Sequence, residues 1–256
     1  MSTRINLNAD MAESYGAWTM GDDAALLHIV GSANLACGFH GGDPLHIART
    51  LALAAERGVS VGAHPSYADL QGFGRRPMRL SDDELQAILV YQIGALQALA
   101  KAHGTQVSHV KPHGALNNLA CADAHTAELV AQTVAQIDAQ LILLAPAASA
   151  LAQAGVNAGL RTALEVFADR NYAADGQLVS RQRHDAMVGD AQACCAHVLR
   201  MLEAQGIVTT EGRVLPTPIH SICVHGDGAH AVETAQAVKA TLQAAGYALQ
   251  PLDLLV

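Results

Sequence analysis

The sequence predicts an α/β fold, a distorted TIM-like (β/α) barrel of about seven parallel strands that forms a single barrel domain over residues 1–256. The chain has 256 residues, of which 51% are hydrophobic, and this suits one barrel domain better than two small ones. Short β-rich runs alternate with longer Ala- and Leu-rich runs of helical period, a pattern typical of parallel sheets. A reactive side chain follows nearly every predicted strand. Because all strand ends of a barrel face one mouth, whereas an open sheet gathers its chemistry at one switch point, the barrel is favoured.

The predicted elements follow one another as short strands and longer helices. The strands lie near Ile5–Ala9, Ala33–Cys37, Val59–Ala63, Ser108–Lys111, Leu141–Leu144, Thr162–Val166 and Ser221–Val224. The helices lie near Asp43–Arg57, Ser81–His103, Ala122–Asp138, Ala147–Gly155, Val188–Gln205 and Ala229–Ala245. Two segments depart from this repeat: Tyr67–Arg79 is a candidate lid, and Ile207–Pro218 is predicted to be a hairpin.

Several helix ends can be recognised from local residue patterns. Asp43 before Pro44 is typical of an N-cap followed by proline at the first helical position, and Ser81 with Glu84 is typical of a capping box. Glycines stand where most of the helices are predicted to end. These glycines are Gly58, Gly104, Gly155, Gly206 and Gly246.

Composition and charge exclude several classes of partner. The net charge is −8 and the sequence has no long Lys/Arg cluster, so a nucleic-acid partner is not expected. No apolar run approaches the roughly 18–20 residues that span a bilayer, and the first residues lack a signal-peptide pattern. The 5 cysteines are scattered and odd in number, which indicates reduced thiols. We therefore expect a cytoplasmic protein, and a homo-oligomer is left open.

Carboxylates and glycines follow the first two predicted strands. Asp10 and Glu13 could bind a metal ion or divide into an acid and a base, while the structural alternative is a turn cap and a solvated carboxylate. Asn8, like Asn6, would point into the barrel. The glycines around His40, including Gly41, would allow the backbone to approach an anionic ligand closely, although glycines at a turn often serve the turn alone.

Histidines follow the second, third and fourth strands. His40, His64 and His113 would lie side by side in a barrel, and His64 and His113 each neighbour a proline that restricts the local backbone. With Asp10 they resemble a site for one divalent ion, for which we predict Asp10, His40 and His64 as ligands. A metal-free acid–base network remains the alternative, because HExxH and Cys-rich patterns are missing from the sequence.

Cations and a further histidine complete the candidate site. Lys111 would point toward the mouth and could pair with a substrate carboxylate, with Glu13, or in a structural ion pair. Arg170 presents a guanidinium suited to a carboxylate or phosphate, and His225 is expected to face the mouth, with Asp227 as a helix N-cap. The sequence contains no GxxxxGK[ST] motif, which excludes a P-loop for ATP.

Six separated blocks together resemble the LamB/YcsF family over almost the whole chain. They are NLNADMAESYG, ANLACGFHGGDP, VGAHPSYADLQGFGRR, VKPHGALNN, EVFADRNY…DGQLVSR and ICVHGDG. The resemblance implies a barrel of the glycoside hydrolase/deacetylase superfamily type. It also implies the A subunit of an ATP-dependent 5-oxoprolinase, which converts 5-oxo-L-proline (pyroglutamate) to L-glutamate together with the B and C subunits, with ATP and Mg²⁺ bound in the complex.

We assign roles to these residues as hypotheses. The catalytic candidates are Asp10, Glu13, His64, His113 and Lys111. The substrate-binding candidates are Asn8, His40, Gly41, Arg170 and His225. Two rival functions stay open: a stand-alone metal-dependent deacetylase or carbohydrate hydrolase, and a non-catalytic subunit that binds a small carboxylate.

Overall fold

Parallel strands pair side by side until the last strand of the ring pairs with the first. The computed structural model describes residues 3–228 and 230–256. The barrel strands run in the order β1, β2, β3, β4, β5, β6, β9, and β9 pairs again with β1. Their bounds are Arg4–Met11 (β1), Ser32–Ala36 (β2), Ser60–His64 (β3), Val107–Val110 (β4), Ile142–Pro146 (β5), Arg161–Phe167 (β6) and Ser221–Val224 (β9). The predicted distorted barrel of parallel strands is confirmed, whereas the assignment of residues 1–256 to one domain stays a prediction.

Helices cover the outside of the ring, and three short strands lie outside it. The helices are Asp23–Leu26 (α1), Pro44–Arg57 (α2), Asp82–Ala102 (α3), Gly114–Ala122 (α4), Ala124–Ile137 (α5), Ala150–Asn157 (α6), Ala191–Ala204 (α7) and Ala231–Ala244 (α8). The other strands are Gly206–Val208 (β7), Val214–Pro216 (β8) and Ala248–Leu249 (β10), and Leu252–Leu254 forms a 3₁₀ turn. None of the described helices is both long and apolar enough to cross a membrane.

The predicted capping signals at α2 and α3 are confirmed. The carboxylate of Asp43 accepts hydrogen bonds from the first-turn amides of α2, and Pro44 occupies the first turn. Ser81 and Glu84 cap each other's backbone amides at the start of α3. Gly58 ends α2 with a φ of 64°, a conformation that glycine adopts without strain. The predicted hairpin is also present, because β7 and β8 pair antiparallel.

Two details of the helix prediction are wrong. No helix was predicted over the range of α4, which is separate from α5 because Asp123 takes an extended backbone between them. Gly155 does not end its helix but lies inside α6, where a Cβ would come within 2.6 Å of Thr162 Oγ1 and 2.8 Å of Leu143 Cδ2. The glycine therefore allows close packing of helix on strand. The predicted start of the last helix at Ala229 lies outside the described residues.

The inside of the barrel is unusually polar at the strands that build the site. On β1, buried apolar residues such as Leu7 alternate with Asn6, Asn8 and Asp10, as expected when one face of a strand packs on helices and the other faces the barrel interior. Asn6 donates a hydrogen bond of 2.8 Å to Ser32 Oγ on β2. The main apolar core therefore lies between strands and helices, and polar groups line the interior face of β1.

Candidate active site

A cavity of about 480 Å³ opens at the carboxyl ends of the barrel strands. Its lining includes residues that follow β1, β3, β4, β6 and β9, as expected for a barrel whose chemistry gathers at one mouth. Six of the predicted site residues line it, and these are Asp10, His64, Lys111, His113, Arg170 and His225. The fold therefore brings together most of the side chains that the sequence singled out.

Lys111 forms a buried charged cluster at the floor of this cavity. Its Nζ lies 2.9 Å from Asp10 Oδ1 and 3.3 Å from Glu165 Oε2, and the lysine side chain is only 2% exposed. Burial alone would raise the pKa of Asp10, but His64 and Lys111 outweigh it and hold that pKa well below its usual range. Lys111 thus pairs with Asp10 and Glu165, not with Glu13 as the sequence suggested.

Asp10 is oriented by a chain of hydrogen bonds that the sequence analysis missed. Asn34 Nδ2 donates to Asp10 Oδ1 at 2.8 Å and to Asn8 Oδ1 at 2.7 Å. His109 Nε2 contacts Asn34 Oδ1 at 2.9 Å, so His109 donates to the asparagine carbonyl. A Cβ at Gly62 would overlap the His109 ring, which explains the glycine on β3. The sequence pattern that could have revealed this chain is the alternation of polar and apolar residues along the strands, which places Asp10 on β1, Asn34 on β2 and His109 on β4.

His64 and His113 point ring nitrogens at each other. His64 Nδ1 lies 2.6 Å from the Lys111 carbonyl oxygen and His113 Nε2 lies 2.9 Å from the Phe73 carbonyl oxygen, so both of these nitrogens carry the proton. The other two nitrogens, His64 Nε2 and His113 Nδ1, are 2.9 Å apart. Two lone pairs at that distance require a shared cation, either a proton or a metal ion. Asp10 Oδ2, 3.4 Å from His64 Nε2, supplies the complementary negative charge.

Glu13 and His40 lie behind the histidine pair, outside the lining of the cavity. Glu13 Oε1 is 3.3 Å from His40 Nε2 and 3.7 Å from His113 Nδ1. Burial, followed by the charges of Asp10 and Asp227, raises the pKa of Glu13 well above its usual range. Burial, followed by His64, lowers the pKa of His40, and its ring stacks on His113 with centroids 3.9 Å apart.

These residues form a group that could hold a metal ion. One ligand atom from each of Glu13, His40, His64 and His113 lies within 4.8 Å of the others. Three imidazoles and a carboxylate suit a zinc-like divalent ion, and among the described residues His40 Nδ1 is buried without a hydrogen-bond partner. The predicted ligand set of Asp10, His40 and His64 shares two members with this group. Glu13 and His113 join them, while Asp10 pairs with Lys111 instead.

Three of the predicted substrate-binding residues do not line the cavity. The geometry therefore does not favour direct contact between these residues and a substrate. Asn8 lies deep in the barrel, where its amide donates to Ser221 Oγ at 2.8 Å. His40 is covered by His113. Gly41 packs on the backbone of Glu13, because a Cβ at this glycine would be 2.8 Å from the Glu13 carbonyl oxygen. The glycine therefore serves close packing between two loops.

The loop after β6 and the loop after β9 contribute Arg170 and His225. Arg170 donates to the backbone carbonyl oxygen of Val179 at 2.7 Å and thereby holds its own loop, although its side chain also lines the cavity. His225 Nδ1 contacts both carboxylate oxygens of Asp169 at 2.9 Å. His197 on α7 is 4% exposed and donates to the Arg170 carbonyl oxygen, because α7 packs this face against the loop.

The segment 67–79 packs over one side of the mouth. Within it Arg76 pairs with Asp69, and the Gly74 carbonyl accepts a 2.8 Å hydrogen bond from the Ala115 amide at the start of α4. Arg75 crosses to the loop after β9, where it pairs with Asp227 at 2.6 Å. The prediction that Asp227 caps the last helix is therefore wrong, since α8 begins later, at Ala231. Opening and closing of this segment stays a prediction.

Comparisons with known proteins agree with this architecture. The model of the LamB/YcsF family matches residues 5–255. The chain is 54% identical to the A subunit of 5-oxoprolinase from Azoarcus sp. (strain BH72) over 96% of each chain. It superposes on the crystal structure of "Lactam Utilization Protein" from Thermus thermophilus with a TM-score of 0.90 and 41% identity, covering 97% of this chain and 99% of that one. A deacetylase structure, "T48 deacetylase with substrate", matches with a TM-score of 0.50 and 14% identity over 99% of this chain and 90% of that one, a likeness of fold alone. Because the family model spans nearly the entire sequence, this chain belongs to the LamB/YcsF family.

Proposed function

We propose that this chain is the ring-opening A subunit of an ATP-dependent 5-oxoprolinase, which produces L-glutamate from 5-oxo-L-proline together with the B and C subunits. The name of the Azoarcus relative supports the reaction and the presence of partner subunits. The observation that carries the proposal is the juxtaposition, on one cavity, of an ionised Asp10 with the His64–His113 pair. A carboxylate beside a proton-sharing imidazole pair is suited to activating water.

The chemistry divides naturally between the three proteins. A five-membered lactam is a resonance-stabilised amide and a poor electrophile, so ATP is needed to convert its oxygen into a leaving group. We assign ATP and Mg²⁺ to the partner subunits, because this sequence lacks a P-loop motif. Transfer of the γ-phosphoryl group to the lactam oxygen, with loss of the ring N–H proton, gives ADP and a cyclic imidate phosphate.

Opening of the imidate ring and release of the products consume two water molecules. The first water forms an O–C5 bond and gives a proton to the base. The C5–N bond breaks as the nitrogen takes up protons, which leaves an acyl phosphate of glutamate. The second water releases glutamate and phosphate. The ionised Asp10 accepts the water proton, and the His64–His113 pair, 3.4 Å from Asp10, supplies the proton that the leaving nitrogen takes up.

A divalent ion held by Glu13, His40, His64 and His113 would add Lewis-acid polarisation of the water. Glu13 and His40 contribute in either case by holding the histidine pair from behind, since Glu13 Oε1 contacts His40 Nε2 at 3.3 Å.

The test is ATP-dependent glutamate release by the chain with and without its two partner subunits. We expect turnover only with all three, and a loss of about 10²–10⁴-fold in Asp10→Asn and in His64→Gln, the range for losing an acid–base group. His125→Gln is a matched control because His125 is exposed and pairs with Asp82 on the helix surface. Unfolding curves must show that the variants remain folded. Undiminished turnover in both site variants would instead indicate a subunit that only binds a small carboxylate.

A second candidate is a metal-dependent deacetylase or carbohydrate hydrolase that works alone. The buried Glu13, His40, His64 and His113 group favours it, because these ligand types suit a catalytic divalent ion. The purified chain is assayed on acetylated sugars with added Zn²⁺, with Mn²⁺ and with a chelator. Metal-dependent hydrolysis without ATP or partners would replace the 5-oxoprolinase proposal.

A further inference from the structure

We propose that Arg170 and Arg181 form a phosphate-binding subsite at the mouth of the cavity, so that the molecule entering it is a phosphorylated, carboxylate-bearing lactam rather than the free lactam. The substrate assignment rests on the proposed function, whereas the phosphate subsite can be tested by itself. Three features support it: the paired charges at the floor of the cavity, the arginines at its rim, and the charge that a ligand must bring.

The floor of the cavity has no positive charge to spare for a substrate anion. Lys111 is the lysine there, and two carboxylates, Asp10 and Glu165, already lie within 3.3 Å of its Nζ. A third partner, Cys223 Sγ, lies 3.0 Å away. A buried ammonium with these partners is electrostatically satisfied, so an incoming anion must find its cations elsewhere.

The rim carries three guanidinium groups that line the same cavity. Arg75 comes from the loop after β3, and Arg170 and Arg181 come from the loop after β6. Arg75 lies over the Phe73 ring, 4.9 Å from its centroid, and pairs with Asp227. Arg181 has no carboxylate partner among the described residues, and its one side-chain contact of hydrogen-bond type is with Met187 Sδ at 3.9 Å.

These guanidinium groups repel one another when no anion lies between them. Burial, followed by the charge of Arg181, lowers the pKa of Arg170 to about 10. Burial, followed by the charge of Arg75, lowers the pKa of Arg181. A bound anion would relieve this repulsion, and this gives the site a preference for ligands that bring more than one negative charge.

The two rim arginines without an ion-pair partner in the described part of the chain favour a phosphate over a carboxylate. Asp227 lies against Arg75 and Asp169 lies against His225, so among the described residues neither carboxylate forms an ion pair with Arg170 or Arg181. A single carboxylate brings one negative charge, whereas a phosphoryl group brings about two and offers three acceptor oxygens. Ser180 and Gln182 flank Arg181 on the same lining and can donate to those oxygens.

The experiment is calorimetric titration of the purified chain with inorganic phosphate at fixed ionic strength, set by chloride. We expect saturable binding to the wild-type chain and at least a tenfold rise in Kd for Arg181→Gln. Arg183→Gln is the matched control, because Arg183 lies two residues away, is exposed, pairs with Asp185 and does not line the cavity. Its Kd should remain within twofold of the wild-type value. Phosphate that binds no better than chloride, or equally well to Arg181→Gln, overturns the subsite.

Two further arms identify the source of the phosphate and separate this proposal from the previous one. A non-hydrolysable ATP analogue that bound through Arg181 more tightly than phosphate would assign the subsite to a nucleotide and overturn the substrate assignment. In the reconstituted complex, Arg181→Gln should raise the KM for 5-oxoproline or lower kcat by at least tenfold. Normal turnover in that variant would contradict the phosphate subsite but would leave the proposed 5-oxoprolinase function unaffected. Failure of the wild-type complex to release glutamate sinks the proposed function, while phosphate binding is still measured on the isolated chain.

Discussion

Replacement of Lys111 by methionine should destabilise the protein strongly, and in a manner that depends on pH. The substitution keeps most of the apolar stem but removes the charge that lies 2.9 Å from Asp10 and 3.3 Å from Glu165. Removing one partner of a buried ion pair typically costs about 3–5 kcal/mol, because the other partner stays buried and uncompensated. We therefore expect the free energy of unfolding at pH 7.5 to fall by about that amount.

The dependence of stability on pH should differ between wild type and variant. In the wild type the pKa of Asp10 is held below its unfolded value, so its contribution to stability is present above that unfolded value and is lost as the pH falls toward the folded one. In Lys111→Met the carboxyl of Asp10 keeps His64 but loses the ammonium, and the pKa of Glu165, which burial already raises in the wild type, should rise further. The folded variant then binds more protons than the unfolded chain, so the deficit should shrink by about 1–3 kcal/mol between pH 7.5 and 5.5.

Urea unfolding followed by circular dichroism at the two pH values measures both effects. Lys101→Met, an exposed lysine in the last turn of α3, is the control and should change stability by less than about 0.5 kcal/mol. Adding Glu165→Gln to Lys111→Met removes one uncompensated charge and should restore part of the loss. A Lys111→Met protein as stable as the wild type at both pH values would refute the view that the floor depends on charge pairing.

Other predictions concern the groups that support the site and the helix start. Gly62→Ala should lower the free energy of unfolding by about 1–3 kcal/mol, because the added methyl group overlaps the His109 ring. Gly94→Ala is the control and should not lower it, because nothing lies within 4 Å of a Cβ at that position. Equal effects of the two substitutions in urea unfolding would contradict the packing argument. Burial, followed by the charges of Lys111 and His64, lowers the pKa of His109 to about 3. As the pH falls below about 6.5, the imidazole is therefore protonated in the unfolded chain but not in the folded one, and the free energy of unfolding decreases. His109→Gln should therefore lose about 2 kcal/mol less than the wild type between pH 7 and 5, and an unchanged slope would argue against a neutral buried imidazole. Ser81→Ala should cost about 1 kcal/mol through loss of the capping box, measured as a lower urea midpoint.

The barrel and the residues at its mouth were predictable because they follow from local patterns. Strands of alternating or continuous apolar character, followed by glycine or a polar side chain, place Asp10, His64 and His113 at the same edge once the ring closes. Helix α4 was missed because Gly114 and two consecutive asparagines are typical of a loop, and packing of Leu116 into the core outweighs that preference.

The sequence alone could not predict that Asp10 and Glu13 take different positions in the site. Asp10 lies near the end of β1 and Glu13 just after it, but Ala12 between them takes a left-handed backbone with a φ of 56°, and Glu13 then lies behind the histidines rather than in the cavity. A non-glycine residue rarely adopts that conformation, so no local pattern predicts it. The partners of Lys111 were likewise hidden, because Glu165 looks like any residue of a buried strand until β6 is placed beside β9.

The polar filling of the barrel has a thermodynamic consequence. Exposure of apolar surface on unfolding raises the heat capacity, whereas exposure of buried amides, hydroxyls and charges lowers it. A ring that encloses Asn6, Asn8, Asn34 and His109 should therefore unfold with a heat-capacity increment below the average of about 12–15 cal/mol/K per residue. The curve of stability against temperature would then be broad and shallow, and the chain would keep much of its stability on cooling.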